Sequence, residues 1–414
     1  MSSDLKKGLA AASSAFGAFT ILGATAKGQG KGFKVGLIGC GGRGGGALGD
    51  HMNAAKRLGL DSKVVAVADW FKDRAEKVGT DKRYDVPKDR CFHGPDAYKK
   101  LLETDVEIVL MATSPNFRPV HFEAAIKAGK HAFFEKPVCV DPPGGRRVIE
   151  AGELAKQKGL SVVAGTQRRH TKGHQSAAFE IHNGLRGKIV GGRIYWCGGA
   201  LWYRTRAEGQ SDADYMVANW VSFTEMSGDH IVEQHVHNID IANWYIGRPP
   251  VTAAGFGGRA RRKTGNQFDF HSVDYDYGDG CHIHSMCRQV NGTAGAGGEH
   301  FVFNTTTKVE KKDLKVPEFE EIGGATQQEH ADLLYSILDK KPYLNEARNV
   351  AEASLAAVMG RFATYTGKLI KWDDMMKNKD SEWYNFTCKP SAEDFEKGTV
   401  KAPPDDVAAI PGTA

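Results

Sequence analysis

The sequence predicts an α/β protein with two domains: an N-terminal doubly wound parallel sheet, and a second α/β domain with a large, mainly antiparallel open sheet. Three observations lead to this prediction. A glycine-rich turn follows a short apolar run at residues 34–44, and apolar runs then alternate with helical patterns as far as residue 164. After about residue 188 the chain changes to short, aromatic-rich strands with many glycines. Alternation of strands and helices is typical of a parallel sheet, whereas successive short strands favour an antiparallel one.

The glycine turn has the spacing of a dinucleotide-binding loop. Residues 34–44 read K-V-G-L-I-G-C-G-G-R-G, which places Gly39, Gly41 and Gly44 in the pattern G-x-G-x-x-G. The first glycine allows a tight turn, the second lets the backbone approach a pyrophosphate, and the third lets the next helix pack closely on the sheet. The phosphates then lie at a helix N-terminus, where free N–H groups favour negative charge. The alternative is a chance match to this pattern in a chain with 49 glycines. The predicted Rossmann-type phosphate site comprises Gly39, Gly41, Gly42, Arg43 and Gly44.

An acidic residue stands where such a domain binds the adenosine ribose. The apolar run 64–68 ends at Asp69, 25 residues after Gly44, and a carboxylate at the end of the second strand can bind a ribose 2′-hydroxyl. This position favours NAD as the cofactor. Lys72 and Arg74 follow closely and can accommodate a 2′-phosphate, so NADP stays open as an alternative, as does an ordinary turn role for Asp69.

Composition places the chain among globular proteins and excludes several classes. Its 414 residues are 41% hydrophobic and 25% charged, which leaves room for two domains with sizeable cores. The net charge of +5 is small, and the densest basic stretch, residues 258–263, lacks the aromatic interleaving of a nucleic-acid surface. We therefore expect no nucleic-acid partner and interpret this stretch as a solvated loop. Seven cysteines without a C-x-x-C pair indicate neither a disulfide framework nor a zinc ribbon, and Cys40 is a small filler in the glycine turn.

The N-terminus resembles a cleavable export signal. Lys6 and Lys7 precede an apolar, alanine-rich stretch at residues 8–23, and residues 24–26 read A-T-A, like a signal-peptidase site. We expect residues 1–26 to be removed and the protein to be periplasmic or secreted, although the arginine pair of the twin-arginine route is missing. No segment approaches about 20 continuous apolar residues, so stable membrane insertion is not expected. A disordered tail on a cytoplasmic enzyme is the alternative.

Polar residues follow the later strands of the predicted parallel sheet. Strand patterns lie at residues 108–112, 132–134 and 161–164, with a helical pattern at 120–128 between the first two. Ligands of open parallel sheets bind at the carboxyl ends of the strands. We therefore expect the cofactor crevice to be lined further by Thr113, Pro115, Asn116, His121, Glu135 and Lys136.

Beyond the first domain, strand patterns recur without intervening long helices. They cover residues 189–196, 268–277 and 282–289, and a glycine-rich loop follows at 292–298. These runs predict the second, mainly antiparallel sheet. Residues 345–372 have the pattern of an amphipathic helix that ends at Gly367, and we assign this helix a packing role.

The tripeptide E-K-P at residues 135–137 carries a family resemblance. It follows A-G-K-H at 128–131 and the strand 132–134, and together with the glycine turn and T-S-P at 113–115 it resembles the glucose–fructose oxidoreductase, inositol dehydrogenase and rhizopine-catabolism (Gfo/Idh/MocA) oxidoreductases. The resemblance extends from residue 34 to about residue 375. It implies a Rossmann domain, here residues 33–160, and an open-sheet α/β domain.

The same resemblance implies how the rest of the chain is used. Residues 161–375 would form the substrate-binding and oligomerisation domain, whose face commonly makes homodimers or homotetramers, and 376–414 a C-terminal extension. The segments G-T-Q-R-R-H at 165–170 and S-G-D-H-I-V-E-Q-H-V-H-N-I-D at 227–240 are similar to a branch of predicted dehydrogenases that often carry export signals.

Lys136 is the first predicted catalytic residue. A lysine after a buried strand, held in place by Pro137, can donate a charged hydrogen bond to a substrate hydroxyl and favour its alkoxide as hydride leaves. The alternative is a structural lysine that forms an ion pair with Glu135.

A predicted helix carries the second catalytic group. Glu233, His237, Asp240 and Trp244 fall at i, i+4, i+7 and i+11 and therefore share one face. A histidine has the right intrinsic pKa to accept the alcohol proton, and a carboxylate one turn away can fix its tautomer. The resemblance places His237 at the family's acid/base histidine and Glu233 where an aspartate usually stands. The role of Glu233 is therefore open: it can reach the substrate, orient His237 or cap a network.

Other side chains of this region suggest substrate contacts but no metal. His230, His235 and His237 with Glu233 form H-x-x-E-x-H, which misses both zinc patterns, so we predict no metal. Forked donors on arginine can bind a polyol or a carboxylate, and flat aromatic faces can stack on a sugar ring, although pairing with acids and core packing are the alternatives. The predicted substrate-binding residues are Arg168, Arg169, Trp202 and Asp240.

These features predict an NAD-dependent dehydrogenase that oxidises a secondary hydroxyl of a sugar, cyclitol or related polyol. One alternative is a glycoside-cleaving enzyme that uses tightly bound NAD in a transient oxidation, elimination and reduction cycle. Another, of a different class, is a non-catalytic NAD-binding sensor or regulatory protein, because fold alone does not determine function.

Overall fold

A computed structural model describes residues 32–304, 309, 317–319, 321–339 and 343–408. The predicted export signal at 1–26 lies outside the described residues. Among the helices that are described, none is long and apolar enough to cross a membrane.

The first domain is a six-stranded, fully parallel sheet in the order β3-β2-β1-β4-β5-β6. This is the doubly wound arrangement that the sequence predicts, because the chain starts in the middle of the sheet and winds outward in both directions. The strands are β1 Lys34–Ile38, β2 Lys63–Asp69, β3 Cys91–His93, β4 Ile108–Met111, β5 His131–Phe134 and β6 Val162–Ala164.

Helices cover both faces of this sheet. Their buried sides carry small and aliphatic residues, such as Ala47 and Leu48 on the first helix. The helix that follows Pro142 is capped by Asp141, whose side chain accepts the N–H of Gly144. The helices are α1 Gly42–Arg57, α2 Lys72–Gly79, α3 Ala97–Leu102, α4 Arg118–Lys127 and α5 Pro142–Gln157.

The second domain contains a six-stranded sheet in the order β11-β7-β10-β9-β8-β12. Only β7 and β10 pair in parallel, so the sheet is mainly antiparallel, as predicted. Its strands are β7 Ile189–Gly198, β8 Thr252–Gly258, β9 Phe270–Asp276, β10 His282–Gln289, β11 Ala296–Phe303 and β12 Ile370–Lys371.

Helices pack on one face of the second sheet and link it to the first. The long helix Ala347–Thr366 packs on β8 and β9 and ends at Gly367, which has a φ of 69°, as the sequence predicts. A short 3-10 turn, Gln167–His170, follows β6. The remaining helices are α6 Lys172–His182, α7 Asp212–Ala218, α8 Thr224–Ser227, α9 His230–Glu233, α10 Val236–Ile246, α11 Ala325–Asp339, α12 Ala347–Thr366, α13 Trp372–Met376, α14 Glu382–Asn385 and α15 Ala392–Lys397.

The expected single helix through Glu233 and His237 is wrong, because the structure has two helices there, α9 and α10. Residues 234–235 separate them. His235 is fully buried and its Nε2 lies 2.7 Å from the Ser285 hydroxyl on β10. This contact with the sheet, rather than local propensity, fixes the break, and helical spacing alone does not predict it.

The expectation of a freely solvated basic loop at 258–263 is also wrong in part. The Asp269 carboxylate accepts the backbone N–H groups of Ala260, Arg261 and Arg262 at 2.6, 2.6 and 3.0 Å. The Arg262 side chain is only 11% exposed. The segment is therefore an organised turn, and it presents Arg261 and Lys263 to solvent.

The described part of the C-terminal extension packs on the first domain. Phe395 of α15 lies edge-on to Trp70 and Phe117. Glu396 accepts a hydrogen bond from the Tyr98 hydroxyl at 2.7 Å. The extension thereby covers the side of the first domain next to the carboxyl end of β2.

Candidate active site

A crevice opens at the carboxyl ends of β1, β2 and β4, where the sequence predicts the cofactor. Residues from α7 and the following turn close its outer side, so both domains contribute to it. Its lining includes Gly39, Gly41, Asp69, Trp70, Arg74, Tyr98, Thr113, His121, Val217 and Trp220.

The glycine turn fits a dinucleotide pyrophosphate. Gly39 has a φ of 95°, and a Cβ there would lie 2.7 Å from the Thr113 nitrogen. A Cβ on Gly44 would lie 1.8 Å from the Gly39 carbonyl oxygen, so α1 can approach the turn only with glycine at this position. Gly41 and Gly42, by contrast, face open space, with no atom within 4 Å of a Cβ built on them. The backbone at the N-terminus of α1 is therefore open to a phosphate group.

Asp69 ends β2 beside this turn and ties it in place. One carboxylate oxygen accepts the N–H of Cys40 at 2.7 Å, and the other accepts the N–H of Phe71 at 2.9 Å. Burial raises the pKa of Asp69. A carboxylate has about four acceptor positions, so lone pairs remain for a ribose hydroxyl.

The two cations after Asp69 differ in position. Arg74 lines the crevice, with its guanidinium 4.4 Å from the centre of the Phe71 ring. Lys72 instead lies on the surface, 3.7 Å from Glu76. Arg74 is thus the cation within reach of a 2′-phosphate.

The polar residues after β4 divide between two environments. Thr113 and His121 line the crevice and lie 3.2 Å apart, and burial lowers the pKa of His121 to about 3, which keeps the imidazole neutral. Pro115 accepts the N–H of Arg118 at the start of α4. The expectation that Asn116 faces the crevice is wrong: its amide contacts the Met226 sulfur at 3.1 Å, because the chain after Pro115 turns toward α8.

Glu135 pairs with Arg43 rather than with Lys136. The Arg43 Nε lies 2.5 Å from the Glu135 carboxylate, and Asp50 and Glu329 lie 3.7 Å from other nitrogens of the same guanidinium. Glu135 is 5% exposed. The pair connects the glycine turn to the E-K-P strand end, a contact that the sequence does not reveal.

Lys136 contacts Glu233, another of the predicted catalytic residues. Its ammonium donates to the Glu233 carbonyl oxygen at 2.6 Å and lies 3.3 Å from the Glu233 Oε1. The two side chains are 12% and 9% exposed. The Glu233 Oε2 is buried without a hydrogen-bond partner among the described residues. The pair thus retains both an unused ammonium proton and an unused carboxylate oxygen.

His237 lies beside this pair with its ring nitrogens free of hydrogen bonds to described residues. Its ring stacks on Trp196 of β7, with centroids 5.8 Å apart and planes 27° from parallel. Burial, followed by the charges of Lys136 and Arg168, holds the pKa of His237 well below its usual 6.5. The imidazole is therefore neutral and available as a proton acceptor.

Arg169 and Asp240 bind each other instead of lining the cleft. The Arg169 Nε lies 2.8 and 3.0 Å from the two Asp240 oxygens, and a terminal nitrogen lies 2.8 Å from one of them. The side chains are 8% and 2% exposed. This is the ion-pair alternative that the sequence leaves open for Arg169, and it means that Asp240 does not fix the tautomer of His237.

Arg168 is held in place by Trp196 and by Glu299, a residue to which sequence reasoning assigns no role. It forms an ion pair with Glu299 of β11, and its guanidinium lies 5.5 Å from the centre of the Trp196 ring. Asn238 donates to the same glutamate at 2.5 Å. No local signal marks Glu299, because it reaches the site from a glycine-rich strand far along the chain.

Trp202 is 45% exposed and lies edge-on to Trp220, with ring centres 6.4 Å apart. Trp220 lines the cofactor crevice. Trp202 therefore borders the crevice from outside.

Asp229, His230 and His271 form the one cluster with metal-ligand geometry among the described residues, with ligand atoms within 4.8 Å of one another. The Asp229 oxygens already accept hydrogen bonds from His230, from the Phe268 N–H and from the Tyr365 hydroxyl at 2.5 Å. These donors occupy the positions that a cation would need. The cluster is a hydrogen-bonded part of the core.

Comparison with known proteins agrees with this geometry. Residues 33–166 match the model of an oxidoreductase family with an NAD-binding Rossmann fold. Inositol 2-dehydrogenase from Pseudomonas fluorescens is 35% identical over 159 residues, which cover 37% of this chain and 43% of that protein. The enzyme of the same name from Serratia proteamaculans is 32% identical over 216 residues, covering 51% and 54%. The chain thus spans about half the length of the curated relatives it matches.

Solved structures share the fold over most of the chain. Myo-inositol 2-dehydrogenase from Lactobacillus plantarum superposes with a TM-score of 0.58 at 18% identity, over 82% of this chain and 99% of that one. GenD2 from gentamicin A biosynthesis, solved in complex with NAD, gives a TM-score of 0.61 at 14% identity, over 86% and 99%. At these identities the similarity shows the fold alone.

Proposed function

We propose that the chain is a member of the Gfo/Idh/MocA oxidoreductases, whose NAD-binding Rossmann model matches residues 33–166, and that it oxidises a secondary hydroxyl of a sugar, cyclitol or related polyol. The observation that carries the proposal is the juxtaposition of Lys136, Glu233 and His237, with open hydrogen-bonding capacity on each. The names of the curated relatives support a cyclitol as the substrate.

The chain's own residues would hold the cofactor in the crevice. The N-terminus of α1 at Gly41 and Gly42 would bind the pyrophosphate, and the lone pairs of Asp69 would bind a ribose hydroxyl. A carboxylate at this position favours NAD, which we propose as the cofactor, with Arg74 as the residue that would tolerate NADP. A bound nicotinamide supplies the hydride acceptor.

Lys136 would polarise the substrate oxygen. Two of the three N–H groups of its ammonium donate to Glu233, and the third is free to bind the substrate hydroxyl. The Lys136 side chain is mostly buried, at 12% exposure. In such an environment a fixed positive charge stabilises a developing alkoxide more than it would in water.

His237 would remove the hydroxyl proton. The ring is held by stacking on Trp196, and its low pKa keeps it unprotonated at neutral pH. A low pKa also makes the imidazole a weaker base, so proton transfer depends on the acidifying charge of Lys136 on the same oxygen. The two residues therefore act on one hydroxyl group together.

The test is the absorbance of reduced nicotinamide while the purified protein, with NAD, is offered cyclitols, sugars, polyols and aryl glycosides. Accumulation of NADH with one alcohol supports the proposal. Release of the aryl alcohol without net NADH would instead support the glycoside-cleaving alternative, in which the hydride returns to the product. Tight NAD binding without either reaction would favour the non-catalytic sensor.

We also propose that two copies associate through the open face of the second sheet. Apolar side chains on four of its strands are exposed, with Phe256 at 79% and Val302 at 59% as the largest fractions. Exposed apolar patches of this kind mark protein interfaces. Light scattering after size exclusion tests the assembly, and Phe256→Lys should produce monomers if the face is the interface.

A further inference from the structure

A second cavity, of about 280 Å³, lies outside the cofactor crevice and next to it. One wall is the segment that carries Trp202 and Tyr203, and the other is the basic turn 258–263. Val221 and Ser222 form its floor, directly after Trp220, which lines the crevice. The cavity thus lies next to the part of the crevice that Trp220 lines.

The basic turn is held rigidly against this cavity. Asp269 accepts three consecutive backbone N–H groups of the turn. Arg262 donates to the side-chain oxygens of Gln267 at 3.0 Å and Gln289 at 2.9 Å. Arg259 donates to the Gln267 carbonyl at 2.7 Å. This network fixes the backbone of the turn and the side chains of Arg259 and Arg262.

The cations that the turn presents are not neutralised. Arg261 and Lys263 line the cavity, and neither side chain has a hydrogen bond or an ion pair with any part of the chain that the structure describes. The carboxylate in the lining, Asp269, already binds the backbone of the turn. Nearby Asp406 pairs with Arg259 at 2.9 Å. The cavity therefore has an uncompensated positive charge.

The opposite wall offers a flat aromatic face. Trp202 is 45% exposed, and the Arg204 guanidinium lies 5.3 Å from the centre of its ring. An exposed indole next to forked cationic donors combines an apolar platform with recognition of anionic groups. A pyranose ring that carries an acid matches both features.

We propose that this cavity binds a saccharide unit that carries a carboxylate or sulfate group, with its ring against Trp202 and its acid between Arg261 and Lys263. This inference rests on the proposed function, since it extends the substrate beyond the hydroxyl that reacts. The substrate class becomes an acidic glycoside or oligosaccharide, in which the reacting sugar occupies the cleft and an acidic neighbour occupies this cavity.

Titration calorimetry of the full chain with NAD present tests the proposal, using methyl β-glucuronide and methyl β-glucoside as probes. We expect the glucuronide to bind at least about tenfold more tightly, which corresponds to about 1.4 kcal/mol, with a preference that falls as salt is added. The double variant Arg261→Gln/Lys263→Gln should abolish the preference. A matched control, Lys82→Gln/Lys88→Gln, removes the same charge from the exposed surface of the first domain and should keep the preference for the glucuronide.

Two further probes separate the contributions. Trp202→Ala should weaken both glycosides, because the ring platform is shared. Glucose 6-sulfate shows whether sulfate replaces carboxylate, and either acid supports the proposal. Equal affinity for the charged and neutral glycosides, a preference that survives the double variant, or equally tight binding of inorganic sulfate would each overturn it.

Calorimetry measures binding without turnover, so the dehydrogenase proposal and the acidic-subsite proposal can each be rejected without the other. Tight glucuronide binding together with no NADH from any alcohol would leave this cavity assigned and the dehydrogenase rejected. NADH from a neutral polyol, with no anion preference in binding, would leave the dehydrogenase and reject the acidic subsite.

Discussion

Two buried ion pairs of the molecule differ in how fully their atoms are used: Arg169 with Asp240 inside the second domain, and Lys136 with Glu233 between the two domains. In the first pair, Arg169 and Asp240 make three contacts of 2.8–3.0 Å with each other. In the second, Lys136 reaches the Glu233 backbone and one of its carboxylate oxygens, while the other oxygen has no partner among the described residues. A saturated pair fixes architecture. An unsaturated pair at a cleft has capacity left for a substrate.

The largest effect should come from breaking the unsaturated pair. Lys136→Met removes the charge that favours the alkoxide, and we expect kcat/KM to fall by about 10³-fold, as is usual for a preorganised donor together with acid–base assistance. NAD affinity, measured by calorimetry, should change little, since Lys136 hydrogen-bonds to Glu233 rather than to the glycine turn. A rate within tenfold of the unmodified enzyme would assign Lys136 to structure.

Breaking the saturated pair should act on stability instead. Arg169→Met leaves Asp240 buried at 2% side-chain exposure without its partner, and we expect the free energy of unfolding to fall by about 3–5 kcal/mol. Chemical denaturation measures this change. The double variant Arg169→Met/Asp240→Leu should recover most of it. Lost activity with unchanged stability would show that Arg169 binds substrate.

This contrast also marks how far the sequence could predict the site. The glycine turn, Asp69 and Lys136 are predictable because each follows a buried strand, and the carboxyl ends of parallel strands meet at one edge. The partners are not: Glu135 pairs with Arg43 across 92 positions, and Glu299 reaches Arg168 across 131. Such pairings depend on which distant segments meet inside each domain, and no periodicity in the chain reports that.

The fold shows the same limit. The positions of strands such as β4 and β10, and the end of α12 at Gly367, follow from local patterns. The break between α9 and α10 does not, because it depends on the bond between His235 and Ser285. Asn116 is directed away from the crevice for a similar reason, its contact with Met226.

Buried polar atoms without hydrogen-bond partners also occur away from the cleft, so such atoms indicate a substrate site only where they line a cleft. His51 and His330 are fully buried between α1 and α11, and their ring nitrogens have no partners among the described residues. Burial lowers the pKa of His51 to about 4 from 6.5. The unfolded chain therefore binds this proton first as pH falls. The stability that the neutral ring contributes is complete above pH 6.5 and decreases toward pH 4, by up to about 3 kcal/mol.

Denaturation at a series of pH values checks this effect. His51→Leu should flatten the curve of stability against pH between pH 6.5 and pH 4. It should leave kcat near neutral pH unchanged, because His51 is not among the residues that line the crevice. A loss of activity in a stable His51→Leu variant would show that open capacity alone, wherever it lies, serves the reaction.

A smaller effect is expected at Glu233. Glu233→Gln keeps the carbonyl that binds Lys136 at 2.6 Å but loses the carboxylate charge, so we expect kcat/KM to fall by about tenfold, within the usual range for a hydrogen bond to a charged group. Glu233→Asp shortens the side chain and keeps the charge, and it should lie between Gln and the unmodified enzyme. Equal rates for all three would assign Glu233 a structural role.

The most direct test of the account is the pH profile of kcat/KM for the unmodified enzyme and for His237→Gln. Because burial and the charges of Lys136 and Arg168 lower the pKa of His237, its imidazole stays neutral at pH values below the usual pKa of histidine. We predict that kcat/KM of the unmodified enzyme declines only below pH 6.5, and that His237→Gln loses both that decline and most of the rate. A decline at or above pH 6.5, or one that His237→Gln retains at full rate, would contradict the assignment of His237 as the base.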